Sequence, residues 1–273
     1  MRTHSVIGGG ALKLHVQETG NPDGKPILFI HGFSQCRLVW NKQLYSDLES
    51  DFRLVAMDLR GHGLSDKAPD VYGEPTLWAD DIQAVITTLH LNRPVLAGWS
   101  YGGIVMSDYI ASYGEDHVAG TCWISAVSRL GEPLLREGFL GPGFLELVPA
   151  FFSHNSGESV VALEKFVRLC VHDEPIPEDL YFFLGFNTIV PAHVRRGLFA
   201  RNISNDAIIQ NIRKPMVLIY GEHDRIARPD MCMHIARLAR HAKVSCYSNV
   251  GHAPFWEAPQ RFNRELREFT ESV

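Results

Sequence analysis

Pro94-Val95-Leu96-Ala97-Gly98-Trp99-Ser100-Tyr101-Gly102-Gly103-Ile104-Val105-Met106 decides how the rest of the chain is read. Pro94 to Trp99 is a short, continuous apolar run, as expected of a strand buried on both faces. Gly103 to Met106 continues as a helix. Between them, Gly98 to Gly102 matches Gly-x-Ser-x-Gly, in which a serine rides a tight strand-to-helix turn. With glycine and serine each near 7% of residues, three such fixed positions recur by chance in roughly one chain of this size in ten. The strand before the pattern and the helix after it therefore carry its meaning. A turn this sharp strains the serine backbone and leaves no room for Cβ atoms two residues to either side. The hydroxyl is pushed out above the sheet edge, where a base and a substrate reach it.

Outward from this turn, short apolar runs alternate with amphipathic stretches. The runs are Pro26–Ile30, Arg53–Met57, Val118–Val127, Pro215–Tyr220 and Lys243–Ser248, preceded by the half-buried alternation of Leu12, Leu14 and Val16. Ile82, Val85, Ile86 and Leu89 keep helical spacing, as do Phe262, Leu266 and Phe269 within Ala258–Thr270. Buried runs separated by helices predict an α/β fold with a mostly parallel twisted sheet flanked by helices. From Arg129 to Asn211 no strand is expected, and Val160–Val171, Pro177–Val190 and His193–Ala200 read as helices. The division expected is a core formed by 1–128 and 212–273, with 129–211 as a helical cap, or lid, inserted after the sixth strand. That segment is rich in aromatic residues, Phe144 and Phe199 among them, which serve either as its own small core or as the wall of a site.

A chain of 273 residues with 45% hydrophobic and 21% charged residues has the composition of an ordinary globular protein. A net charge of −5 leaves no basic face for nucleic acid. No run approaches the length of a membrane span, and the first residues lack the apolar core of a signal peptide. Five scattered cysteines, never spaced as Cys-x-x-Cys, argue against structural zinc and against a disulfide framework. The compartment expected is reducing and cytoplasmic.

A serine hydroxyl attacks a carbonyl only when a base takes its proton. The chain has 13 histidines, so position must choose among them. His252 follows the run Lys243–Ser248 through Asn249-Val250-Gly251, which places it at the sheet edge that carries Ser100. Asp224 follows Pro215–Tyr220 through Gly221-Glu222-His223 to the same edge, where an acid holds a histidine's tautomer. Ser100, Asp224, His252 is the chain order of one known triad arrangement.

On these residues the chain resembles the α/β-hydrolase superfamily over nearly its whole length. His31-Gly32-Phe33 is similar to the oxyanion loop, Asp58-Leu59-Arg60-Gly61-His62-Gly63-Leu64-Ser65 to the turn after the fourth strand, and Gly221–Asp224 and Gly251-His252 to the acid and base motifs. Among branches it looks most like lidded carboxylesterases and haloperoxidase-like esterases. The resemblance implies backbone amides of Phe33 and Tyr101 facing an oxyanion, no cofactor, and a small-molecule ester as partner. Trp99, Trp256 and Phe144 are candidates for the substrate pocket, and the two tryptophans read equally well as packing around the elbow.

Competing readings stand beside these. Glu222, His223, Asp224 and His252 lack metal-ligand spacing, so no metal is expected. His31 and His62 read as loop braces, and Asp58 as the cap of a glycine-rich turn. At the family's other position for the acid stand Ser125, Ala126 and Val127, none of them a carboxylate. Arg195, Arg196 and Arg201 read as solvated helix faces rather than as anion binders. Ester hydrolysis through an acyl-enzyme leads. Lactone or meta-cleavage-product hydrolysis on the same triad follows. Perhydrolysis is disfavoured because such relatives commonly carry proline where this chain has Ser34. A non-catalytic receptor comes last.

Overall fold

A computed structural model describes residues 1–273. Ten strands form: β1 (Arg2–Ile7), β2 (Lys13–Gly20), β3 (Lys25–Ile30), β4 (Phe52–Met57), β5 (Val95–Trp99), β6 (Gly120–Ile124), β7 (Arg129–Leu130), β8 (Ile203–Ser204), β9 (Met216–Gly221) and β10 (Lys243–Tyr247). Eight of them build one sheet in the order β1-β2-β4-β3-β5-β6-β9-β10. Only the β1–β2 and β2–β4 pairs are antiparallel, and the rest of the sheet is parallel. This is the mostly parallel α/β sheet that the alternating runs predict.

The central strands are buried on both faces, and their alternation separates two cores. Ile27, Phe29, Leu54, Ala56, Val95 and Ala97 point to one face, where Phe262, Leu266 and Phe269 of the helix Pro259–Glu271 cover them. Leu28, Ile30, Val55, Met57 and Leu96 point to the other, beneath the helices Pro75–Thr88 and Gly102–Tyr113. A sheet sandwiched in this way reads as apolar runs without alternation, which is why those strands are legible.

The stretch 129–211 is mainly helical and adds nothing to the main sheet. Its longer helices are Ser156–Leu169, Pro177–Thr188 and Ala192–Phe199. One expectation needs correcting here, because two short strands close its ends. Arg129 pairs with Ser204 and Leu130 with Ile203 in the β7–β8 ladder. Two residues per strand are too few to show a period-2 pattern. No helix is long and apolar enough to cross a membrane.

Candidate active site

β5 ends at Trp99 and the next helix begins at Gly102, so Ser100 and Tyr101 make the whole turn. Ser100 takes φ 55°, the left-handed region that a side chain seldom occupies, at a cost of about 1–3 kcal/mol. Its backbone is held on both sides: its amide donates to Ile124 O at 2.9 Å, and its carbonyl accepts from Gly103 and Val127. The glycines of the pattern are required for close approach. A Cβ on Gly98 would lie 2.6 Å from Met106 Cε, and one on Gly102 would lie 2.6 Å from Ile30 O.

His252 and Asp224 are brought together at the same edge by the loops after β10 and β9. Asp224 Oδ2 lies 2.7 Å from His252 Nδ1, and both residues are buried. Asp224 Oδ1 accepts the amides of Ile226 at 2.8 Å and Ala227 at 3.0 Å. Three donors on one carboxylate fix its orientation. With Nδ1 donating to Asp224, Nε2 is the nitrogen left to act as a base. The indole of Trp99 donates to the His252 carbonyl at 2.8 Å, and the two rings lie 5.4 Å apart. Trp99 thus lies beneath the histidine and does not line the cavity at Ser100.

That cavity is small, about 40 Å3, and is walled by Phe33, Tyr101, Leu134, Phe144, Phe199 and Ile226 among others, with no charged side chain. The amides of Phe33 and Tyr101 donate to no protein acceptor. Phe33 also anchors the helical stretch, its ring lying 5.0 Å from Phe199, 5.5 Å from Phe151 and 5.9 Å from Phe166. Much of the phenylalanine excess is used in this packing. Trp256 stands apart from the Ser100 cavity. Its indole donates to Asp179, and its ring packs at 4.8 Å on Phe183.

The residues read as braces do brace. Leu59 N donates to His31 Nε2 at 3.0 Å, so Nδ1 carries the proton and donates to Gly32 O. Burial pushes the pKa values of His31 and His62 down to about 3 and keeps both neutral. Asp58 accepts the amides of Arg37 and Leu64 and the guanidinium of Arg37. The arginines correct the sequence reading. Arg195 is buried and donates to Phe151 O, Val190 O and Ser159 Oγ. Arg201 is buried against Asp108 and Tyr101 Oη. Only Arg196 remains exposed. Their partners lie up to 100 residues away, beyond any local pattern. Glu257, five residues after His252, has no signature in the sequence, although it accepts the amide of Gly251.

Comparison with known proteins agrees with this architecture. The model of the alpha/beta hydrolase family matches residues 27–265. The esterase RhEst1 from Rhodococcus sp. ECU1013 superposes with a TM-score of 0.93 at 30% identity, covering 100% of both chains. The AB hydrolase superfamily protein YisY of Bacillus subtilis is 26% identical over 95% of this chain and 96% of its own. The bifunctional esterase/perhydrolase DCH of Acinetobacter calcoaceticus is 26% identical over 94% and 95%, respectively.

Proposed function

Because the chain belongs to the alpha/beta hydrolase family, we propose that it is a serine esterase that cleaves small apolar carboxylic esters through Ser100, His252 and Asp224. One observation carries the substrate class: the cavity at Ser100 is walled by apolar side chains and no charge. The buried arginines nearby do not change this, because neither Arg195 nor Arg201 lines that cavity.

The chemistry of this reading runs in two halves. His252 Nε2 takes the Ser100 proton as Oγ bonds to the ester carbonyl carbon. The carbonyl oxygen gains negative charge, and the free amides of Phe33 and Tyr101 receive it. Collapse of the tetrahedral intermediate breaks the carbon–oxygen bond, and His252 returns its proton to the departing alkoxide. Water, deprotonated by the same histidine, then attacks the acyl-enzyme and releases the acid and Ser100. Asp224 keeps the proton on Nδ1 and stabilises the imidazolium formed twice per cycle. No step calls on a metal or cofactor.

Residues 129–211 act in this reading as the cap over the cleft. A cavity of about 40 Å3 falls far short of the roughly 300–1,000 Å3 usual for a small-molecule pocket, so in this reading the cap or its side chains shift to admit an ester. Burying a phenyl or short alkyl group there contributes roughly 1.5–3 kcal/mol. Perhydrolysis ranks below hydrolysis despite the DCH likeness, since Ser34 stands after Phe33. The test is kcat/KM for acetate, butyrate, hexanoate and phenylacetate esters beside a succinate half-ester. The neutral esters should lead, and a lead for the half-ester would overturn the apolar-pocket reading.

A further inference from the structure

Three hydrogen bonds hold His252, each from a different direction. Asp224 takes Nδ1, and the Trp99 indole takes the carbonyl. The third acts one residue earlier, where the Gly251 amide donates to Glu257 Oε1 at 2.9 Å. The other oxygen of that carboxylate, Oε2, accepts the amide of His172 at 2.6 Å. His172 belongs to the turn after the helix Ser156–Leu169, so Glu257 joins the histidine's turn to the helical segment. Gly251 permits the join, since a Cβ there would lie 2.8 Å from His172 N and from the Val171 carbonyl carbon. Backbone therefore lies directly on backbone. Arg225, next to Asp224, pins the same stretch by donating to Arg168 O at 2.8 Å and Val171 O at 2.6 Å.

From this geometry we infer that Glu257 is a positioning residue whose carboxylate clamps the turn bearing His252 to the segment 129–211, so that the seating of that segment and the aim of the base are set together. The inference rests on the reading of His252 as the base. A carboxylate offers an acceptor to each of two amides, and both bonds are charge-assisted. A protonated acid, or a glutamine, keeps one acceptor and turns a donor toward the other N–H, so one side of the clamp opens. Glu257 is not among the residues of the Ser100 cavity, so its effect belongs in kcat rather than KM.

Burial pushes the Glu257 carboxyl up to about 7, against the pull of the His172, Gly251 and Ala253 amides and with the charge of Asp224 adding to the rise. The charged groups around it are Asp224 and Arg225 from the turn after β9, Lys42 from the stretch after β3, and Asp173, Glu174 and Asp179 from the helical segment. The clamp is therefore complete above neutral pH and half-lost below it.

The experiment compares wild type, Glu257→Gln and His252→Ala on p-nitrophenyl acetate across the acid limb. Glu257→Gln should lower kcat by about tenfold with KM unchanged, and should turn an acid limb governed by two ionisations into one governed by a single ionisation. An unchanged kcat or an unchanged limb would overturn the clamp. His252→Ala reads the underlying assignment separately: retained turnover there removes the base, whatever Glu257 does. If Glu257→Gln does not fold, NMR of the wild type decides. The Gly251 and His172 amide protons should shift with the midpoint of the Glu257 carboxyl carbon, and unrelated midpoints contradict the proposal.

Discussion

Arg201 Nη2 lies 2.8 Å from Asp108 Oδ1 with both side chains almost wholly buried, joining the end of the helical stretch to the helix that follows Ser100. The same guanidinium reaches Tyr101 Oη at 3.2 Å, so the residue next to Ser100 is held by this pair as well. Burial raises the Asp108 carboxyl to about 6 even though Arg201 pulls it down. Arg201→Met strands that carboxylate and should cost about 3–5 kcal/mol of stability, read as a lower urea midpoint. A change below about 0.5 kcal/mol, the range of ordinary surface substitutions, would show that the pair holds nothing.

Asp224→Asn should keep the fold and lower kcat by about four orders of magnitude, because the amide favours the wrong imidazole tautomer. Circular dichroism checks the fold and steady-state kinetics the rate. Near-wild-type activity would hand the acid's role to another carboxylate. Chelators should leave the wild-type rate unchanged.

Phe144 is part of the cavity wall at Ser100 and packs 5.8 Å from Phe151 and 5.7 Å from Phe166. Phe144→Ala should cost about 3–5 kcal/mol of stability. It should also shift preference toward longer acyl chains, raising the hexanoate-to-acetate ratio of kcat/KM by about tenfold. An unchanged ratio would place the acyl group elsewhere.

The sites differ in how plainly the sequence announces them. Ser100 and Asp224 follow the buried apolar strands β5 and β9, and His252 follows the edge strand β10, of which only Tyr247 is buried, each through a local turn. The buried strands are legible because an apolar run without alternation leaves no face for solvent and must be covered on both sides. β1 is not, since only Val6 of its six residues is buried and pairing with β2 holds it in place. Arg201 and Arg195 look like surface charges in the sequence because nothing local reveals a partner on another element. Trp99 and Trp256 carry the same ambiguity: an aromatic residue beside a site fits equally well under it, over it or away from it.

Glu257 supplies the pH prediction. Its carboxyl is raised from an ordinary 4.5 to about 7 by burial, so the folded protein keeps a proton that the unfolded chain has released across that window. Stability from this group is therefore full below the ordinary value and falls as pH rises toward 7. Glu257→Gln does not titrate. The urea midpoint of wild type relative to Glu257→Gln should drop between pH values below and above this window. A constant difference would mean that the carboxyl ionises as it does in water.

The central claim is that Ser100 forms the acyl-enzyme, and labelling tests it most directly. An aryl phosphonate ester incubated with the protein should place one adduct on the tryptic peptide containing Ser100, abolish turnover in proportion, and leave Ser100→Ala both unlabelled and inactive. An adduct on any other residue, or a Ser100→Ala protein that hydrolyses esters at the wild-type rate, contradicts the account.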